Sequence, residues 1–419
     1  MINLLIKAGD NINAKLQWCY WPLLMMLCVF SLINFIRVGY VLAQNWNGWM
    51  IGDWLLNYEH GFIRRGLFGA IIVGLNQYLD FQINYFIFMG QCAIFLLFLV
   101  TFMLLLINKS IGFWYVIACL APGFLLFNYY DGMSVGRKEI LLYAVVAIWC
   151  LVLQKYKPST LTIAVFATLL FALTLSHEMV LFFVPYFIVA LWLSYPPKAK
   201  HDYMQIIALA VSPLLAIGLL FLLAYPISEH SMCATFLKLG AREDICQGII
   251  SYGTDASLQA VWLRLRQLEL GGQLHFIALI PVIVAPFYLT IRVTPSLGVK
   301  VKKIRSTFFG LFCFTIPLFL VSVDWGRWLA IHITLFTIIL AQHLPTKQAN
   351  VKQQCANVAN VGRTAGAAHS NILLLLITAA SIVAFNFSYS LNHCCANNMI
   401  EPFGPVKKLL TTFRRGSAF

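Results

Sequence analysis

The chain reads as an all-α, polytopic membrane bundle, and three observations predict this. Of its 419 residues, 61% are hydrophobic and 11% charged, with a mean hydropathy of +0.81. Soluble domains carry about 25% charge. Eleven apolar stretches approach the roughly 20 residues that a span needs. The charges between these stretches segregate by side, as the positive-inside rule requires.

The predicted spans fall near 18–43, 82–107, 111–130, 139–154, 160–177, 179–195, 204–225, 275–292, 306–323, 327–343 and 371–389. With the N-terminus in the cytoplasm, every inner loop is basic. Lys7 and Lys15 come first, then Lys109, Lys155 and Lys157, Lys198 and Lys200, Lys300 to Arg305, and Lys347 to Arg363. Of the fifteen acids only Asp10 and Asp202 then lie inside. The outer cations are mostly Arg. Lys suits headgroup anchoring, whereas the planar fork of Arg grips carboxylate or phosphate at two points. Anchoring plus an anionic ligand accounts for the net charge of +14, so no nucleic acid is implied. The first apolar segment is too long for a cleavable signal and reads as a signal anchor.

Residues 1–419 read as one integral-membrane domain. The outer loop 44–81 holds two amphipathic helix candidates, 48–58 and 63–78, hinged at Gly61. Trp46, Trp49, Trp54 and Tyr58 place the first at headgroup level. The outer loop 226–274 carries Cys233 and Cys246, and an oxidising side would let them pair. No C-x-x-C pair exists, which argues against a zinc or iron–sulfur site. The inner loop 344–370 is predicted mobile, and the tail 390–419 falls outside with Lys407, Lys408, Arg414 and Arg415.

Four charged turns share the outer side. G-D-W-L-L-N-Y-E-H-G-F-I-R-R-G (52–66) offers Asp53 or Glu59 as a general base toward a sugar hydroxyl and Arg64 with Arg65 as a phosphate clamp. The plainer alternative is an interfacial helix pair with snorkelling arginines. N-Y-Y-D-G-M-S-V-G-R-K-E (128–139) adds Asp131, Arg137, Lys138 and Glu139, either a second clamp or a solvated turn. Ser176–His177–Glu178 sets a His beside an acid at membrane depth, where ionisable groups mark function. It lacks the second His of a metalloprotease helix. V-D-W-G-R-W (323–328) brings Asp324 and Arg327 across a turn, with Trp faces suited to a sugar ring.

These turns and the layout around them resemble the GT-C class of membrane glycosyltransferases and the related bacterial O-antigen and capsule polymerases. The resemblance lies in topology and loop position over the whole chain. It implies amphipathic helices in the first outer loop with an essential acid, here Asp53 or Glu59. It implies further acids in the second outer loop, here Asp131 or Glu139, and arginines for a lipid phosphate. The substrate would be an undecaprenyl-(di)phosphate-linked sugar, passed to a glycan or lipid-linked acceptor on the periplasmic side of a bacterial inner membrane. On this reading Asp53 or Glu59 is the base, Arg64, Arg65, Arg137, Lys138 and Arg327 hold phosphate, and His177 with Glu178 positions the acceptor or shares the proton. Asp324 is a secondary acid with Asp131 and Glu139. The D-x-D or E-x-D pair of metal-dependent members is missing, no cofactor is expected, and a divalent cation is left open. A repeat-unit polymerase is the nearest alternative. A lipid-linked oligosaccharide flippase is the rival from another class, and a polysaccharide acyltransferase the third reading. Against the flippase, the charges gather at outer helix ends and no repeat is visible.

Overall fold

The computed structural model describes residues 2–79, 81–223, 229–246, 248–249, 287–288, 290–291, 301–321, 324–347 and 380. The regular elements among the described residues are all helices, apart from one isolated bridge between Lys109 and Thr346. Most of the predicted spans 275–292 and 371–389, most of loop 344–370 and the whole tail 390–419 lie outside these residues.

Among the described residues three helices are long and apolar enough to cross a membrane, over Cys19–Gln44, Ile83–Leu106 and Lys200–Leu223. The first is the apolar part of α1 (Ile2–Gln44), the second is α4 and the third α10. Both α4 and α10 have 24 residues. At 1.5 Å per residue each rises about 36 Å, enough for a hydrocarbon core of about 30 Å. Their outward faces carry Met89, Leu97, Leu214, Leu215, Phe221 and Leu222, a surface compatible with lipid.

Two helices form the interior. In α13 (Trp325–His343) every residue from Gly326 to Gln342 is buried. The helix α7 (Glu139–Lys155) packs on α4, α13 and α9 (Val180–Ser194). Helices apolar all round belong inside. Outside them α8 (Thr160–Ser176) packs on α10, and α12 (Val301–Val321) on α9. Pro158 and Ser159 separate α7 from α8, and Ser159 caps α8 by accepting the Thr162 N–H at 3.2 Å. This satisfies one of the donors that a helix start leaves free.

The predicted span 111–130 folds differently. It forms α5 (Phe113–Cys119) and α6 (Phe127–Tyr130) with turns between. Pro122 and Gly123 explain the break, because proline lacks the N–H and turns its preceding residue away from helix. Likewise the predicted helices at 48–58 and 63–78 shrink to α2 (Ile51–Leu55) and α3 (Gly66–Leu79). The bend falls at Gly61, which adopts φ +133°. The helix α11 (Glu229–Lys238) is tied to the turn Glu243–Cys246 by a Cys233–Cys246 disulfide.

The helix α3 approaches α2 so closely that a Cβ on Gly69 would lie 1.9 Å from the Leu56 carbonyl oxygen. Gly69→Ala must therefore push the two apart, at about 1–3 kcal/mol by the cost of overpacking. Gly74, on the same helix, meets nothing within 4 Å, and Gly74→Ala should be neutral or stabilising. Thermal midpoints in detergent check the contrast, and equal midpoints would reject the close contact.

The helices alternate in direction, so the bundle has two unlike ends. One holds lysines. Lys109 Nζ donates to the carbonyls of Gln342 (2.7 Å) and Leu344 (3.0 Å), closing the end of α13, and Lys157 pairs with Asp202 at 3.2 Å. The other end holds the charged turns.

Candidate functional site

At that end α2, the loop 56–65, the turn 131–138 and the α8–α9 turn meet. Asp53 sits within α2 and is buried. The chain then leaves the helix and reaches Arg65 in left-handed backbone at φ +67°, a strained conformation for a side chain larger than glycine. Arg65 is thereby turned inward. Its Nε donates to Glu178 Oε2 at 2.9 Å and its Nη2 to Oε1 at 2.8 Å, a two-point grip. Its Nη1 lies 3.5 Å from Asp53 Oδ1. Burial works against the Arg65 charge, but Glu178 and Asp53 outweigh it and hold the proton more firmly than usual. Burial also pushes the Glu178 carboxyl up, yet Arg65, His177 and Arg64 hold it well below the ordinary range.

Lys138 joins the segments from below. Its Nζ donates to the carbonyls of Arg65 (3.0 Å) and Ser176 (3.1 Å) and lies 3.8 Å from Asp53 Oδ1. The residue is 2% exposed. Burial pushes its ammonium down to about 8 against the pull of Asp53. An unfolded lysine titrates near 10.4. Between those values the unfolded chain holds a proton that the folded chain lacks, so unfolding free energy rises with pH across that window. Lys138→Met removes this slope. Thermal midpoints from pH 7.5 to 10 should show wild type gaining on the variant as pH rises, and parallel curves would reject the account.

A second ionic group lies alongside. Arg327, in the first turn of α13, reaches Glu139 Oε1 through Nε and Asp324 Oδ2 through Nη1, both at 3.1 Å. Glu139 opens α7, where the helix dipole favours an acid. Both Glu139 oxygens are buried, and neither has a hydrogen-bond partner among the described residues. Arg137 Nε donates to the Met133 carbonyl at 3.1 Å, and its guanidinium lies 5.4 Å from the Trp49 ring centre. Burial and then Arg327 push Arg137 down from its ordinary value. Arg137, Glu139 and Arg327 line a cavity with Asn128, Ser134 and Tyr143. It has room for roughly one or two waters, not for a sugar ring.

The remaining expected residues divide. Arg64 is partly exposed, its Nη1 3.7 Å from Glu178 Oε1. His177 Nδ1 lies 3.8 Å from Glu178 Oε2. Asp131 accepts the Met133 N–H at 3.2 Å and so caps its own turn. Glu59 is exposed, and among the described residues no ion pair reaches it. Of the two candidate bases, only Asp53 enters the cluster. The Trp328 face that suited a sugar is covered by Arg327, 4.4 Å from its ring centre.

The sequence assigns no role to Gln91, and Trp54, expected at headgroup level, is instead buried at 4% exposure. Trp54 Nε1 and Gln91 Nε2 both donate to the Gly136 carbonyl, at 2.8 and 2.9 Å, and pin the 131–138 turn. A lone Gln inside an apolar run was the available signal for Gln91. Among the described residues no three His, Cys, Asp or Glu side chains gather as a metal would need.

The described residues define a class: an all-helical chain with three helices fit to cross a membrane and a buried ionic cluster at one end. No family model, curated protein or solved structure matches the chain, so any reaction has to be argued from that cluster.

Proposed function

We propose that this chain is an integral-membrane glycosyltransferase of bacterial surface-polysaccharide assembly. It has about eleven spans in a GT-C-like arrangement, with the N-terminus cytoplasmic and the charged end periplasmic. The donor is a sugar or oligosaccharide on undecaprenyl (di)phosphate. The observation that carries the reading is convergence: Asp53, Arg65, Lys138 and Glu178 come from four segments and form one ionic cluster. Ionisable groups at membrane depth are costly and belong to function by default.

In the proposed reaction Asp53 takes the proton of the acceptor hydroxyl as its oxygen attacks the anomeric carbon of the donor. The bond from that carbon to the phosphate oxygen breaks, and the undecaprenyl (di)phosphate leaves with the electron pair. Arg64 and Arg65, with Arg137 and Arg327 behind them, stabilise the charge growing there. His177 beside Glu178 orients the acceptor.

The test compares lipid-linked intermediates in cells carrying wild type or Asp53→Asn. Loss of transfer, with donor still present on the periplasmic leaflet, supports the reading. Donor trapped on the cytoplasmic leaflet points to a flippase instead and overturns it. Product length in the same experiment separates single transfer from polymerisation.

A further inference from the structure

The proposed clamp is already occupied. Arg65 spends its fork on Glu178, and Arg64 turns its Nη1 toward the same Oε1 at 3.7 Å. Two guanidinium groups around one oxyanion form the arrangement that also recognises phosphate. The two acids facing Arg65 are unequal. The Glu178 side chain is 27% exposed and that of Asp53 only 6%. Glu178 is therefore the outward partner. It stands on the short turn between α8 and α9, its backbone held where the Leu181 N–H donates to its carbonyl at 3.3 Å, so only the side chain has to swing. Nearby space does not offer an alternative, because the cavity beside Arg137 and Arg327 takes only roughly a water or two.

We propose that Glu178 is a built-in placeholder for a phosphate group, released from Arg65 and Arg64 when the phosphate of a ligand takes its position. This rests on the carrier-phosphate reading above and assigns Glu178 a role apart from acceptor handling. It also links two events. The Asp53 Oδ1 atom has no hydrogen-bond partner among the described residues, and its ionic contacts are Arg65 at 3.5 Å and Lys138 at 3.8 Å. A phosphate that draws Arg65 outward loosens the first contact and uncovers the base, so Asp53 is freed only when donor is present.

The test measures binding of inorganic diphosphate to purified protein in detergent, and of undecaprenyl phosphate in phosphatidylcholine vesicles. Glu178→Gln keeps the side-chain shape and removes the competing charge. It should bind at least one probe about tenfold more tightly than wild type, as expected when a charge-assisted partner no longer competes. Diphosphate should also raise its thermal midpoint further. Arg65→Gln should lose binding in either background. Tightening confined to the vesicles marks a lipid headgroup as the ligand, whereas tightening with both probes marks a site open to free phosphate. Should Glu178→Gln fail to fold, Glu178→Asp, whose carboxylate is withdrawn by one methylene, must shift affinity in the same direction. If wild type binds and neither variant binds more tightly, the placeholder is wrong and the carrier reading stands. If no protein binds either probe, both fall.

Discussion

Asp53→Asn is expected to lower sugar transfer by about 10²–10⁴-fold, the usual contribution of a positioned general base, while Glu59→Gln leaves it unchanged. Both substitutions preserve shape and remove one charge. They differ in place, since Asp53 lies between Arg65 and Lys138 whereas Glu59 is exposed. Folding should survive Asp53→Asn, because the two cations left behind have other recourse. Arg65 retains Glu178. Lys138, already shifted down to about 8 by burial, can shed its proton. Transfer rates are read beside thermal midpoints. Full activity in Asp53→Asn would remove the base from the mechanism, and loss in Glu59→Gln would move it to the exposed loop.

Arg327→Met should produce the largest loss of stability, about 3–5 kcal/mol, the range for removing one member of a buried ion pair. Glu139 explains the size. It is 4% exposed, neither oxygen has a hydrogen-bond partner among the described residues, and Arg327 Nε is its ionic contact at 3.1 Å. Removing the guanidinium leaves that carboxylate in a cavity walled largely by Phe95, Phe98, Phe124 and Phe127, with Arg137 as a further cation in its lining. Glu139→Gln added to Arg327→Met should recover most of the loss, since an apolar or neutral replacement of both partners is often tolerated. Denaturant midpoints of the two single variants and the double variant give the coupling. Additive losses would mean that the pair does not interact.

The all-helical class was legible in the composition, and the long apolar helices are compatible with a membrane. The charged turns expected on one side do meet at one end of the bundle. Pairing was not legible. Arg65 meets Glu178 across 113 positions of chain, and nothing in either local run distinguishes that partner from Glu59, which is nearer in sequence. Nor could apolar runs reveal their depth. The sequence of α13 resembles a lipid-facing span as much as the central helix it forms, because neither needs a polar face. The break in 111–130 was written in Pro122 and Gly123 but hidden by the apolar residues on either side. Arg65 in left-handed backbone, at φ +67°, carries no local signature.

The helices on either side of Glu178 are short. The helix α9 has 15 residues and α8 has 17, so they rise only about 22 and 26 Å. If both cross the membrane, as the proposed function has it, the bilayer thins by several ångströms around them or their flanking residues snorkel. On the proposed function, carrier headgroups settling into that thinned region would reach Arg64 without leaving their own leaflet, and helix length would set which amphiphiles collect there.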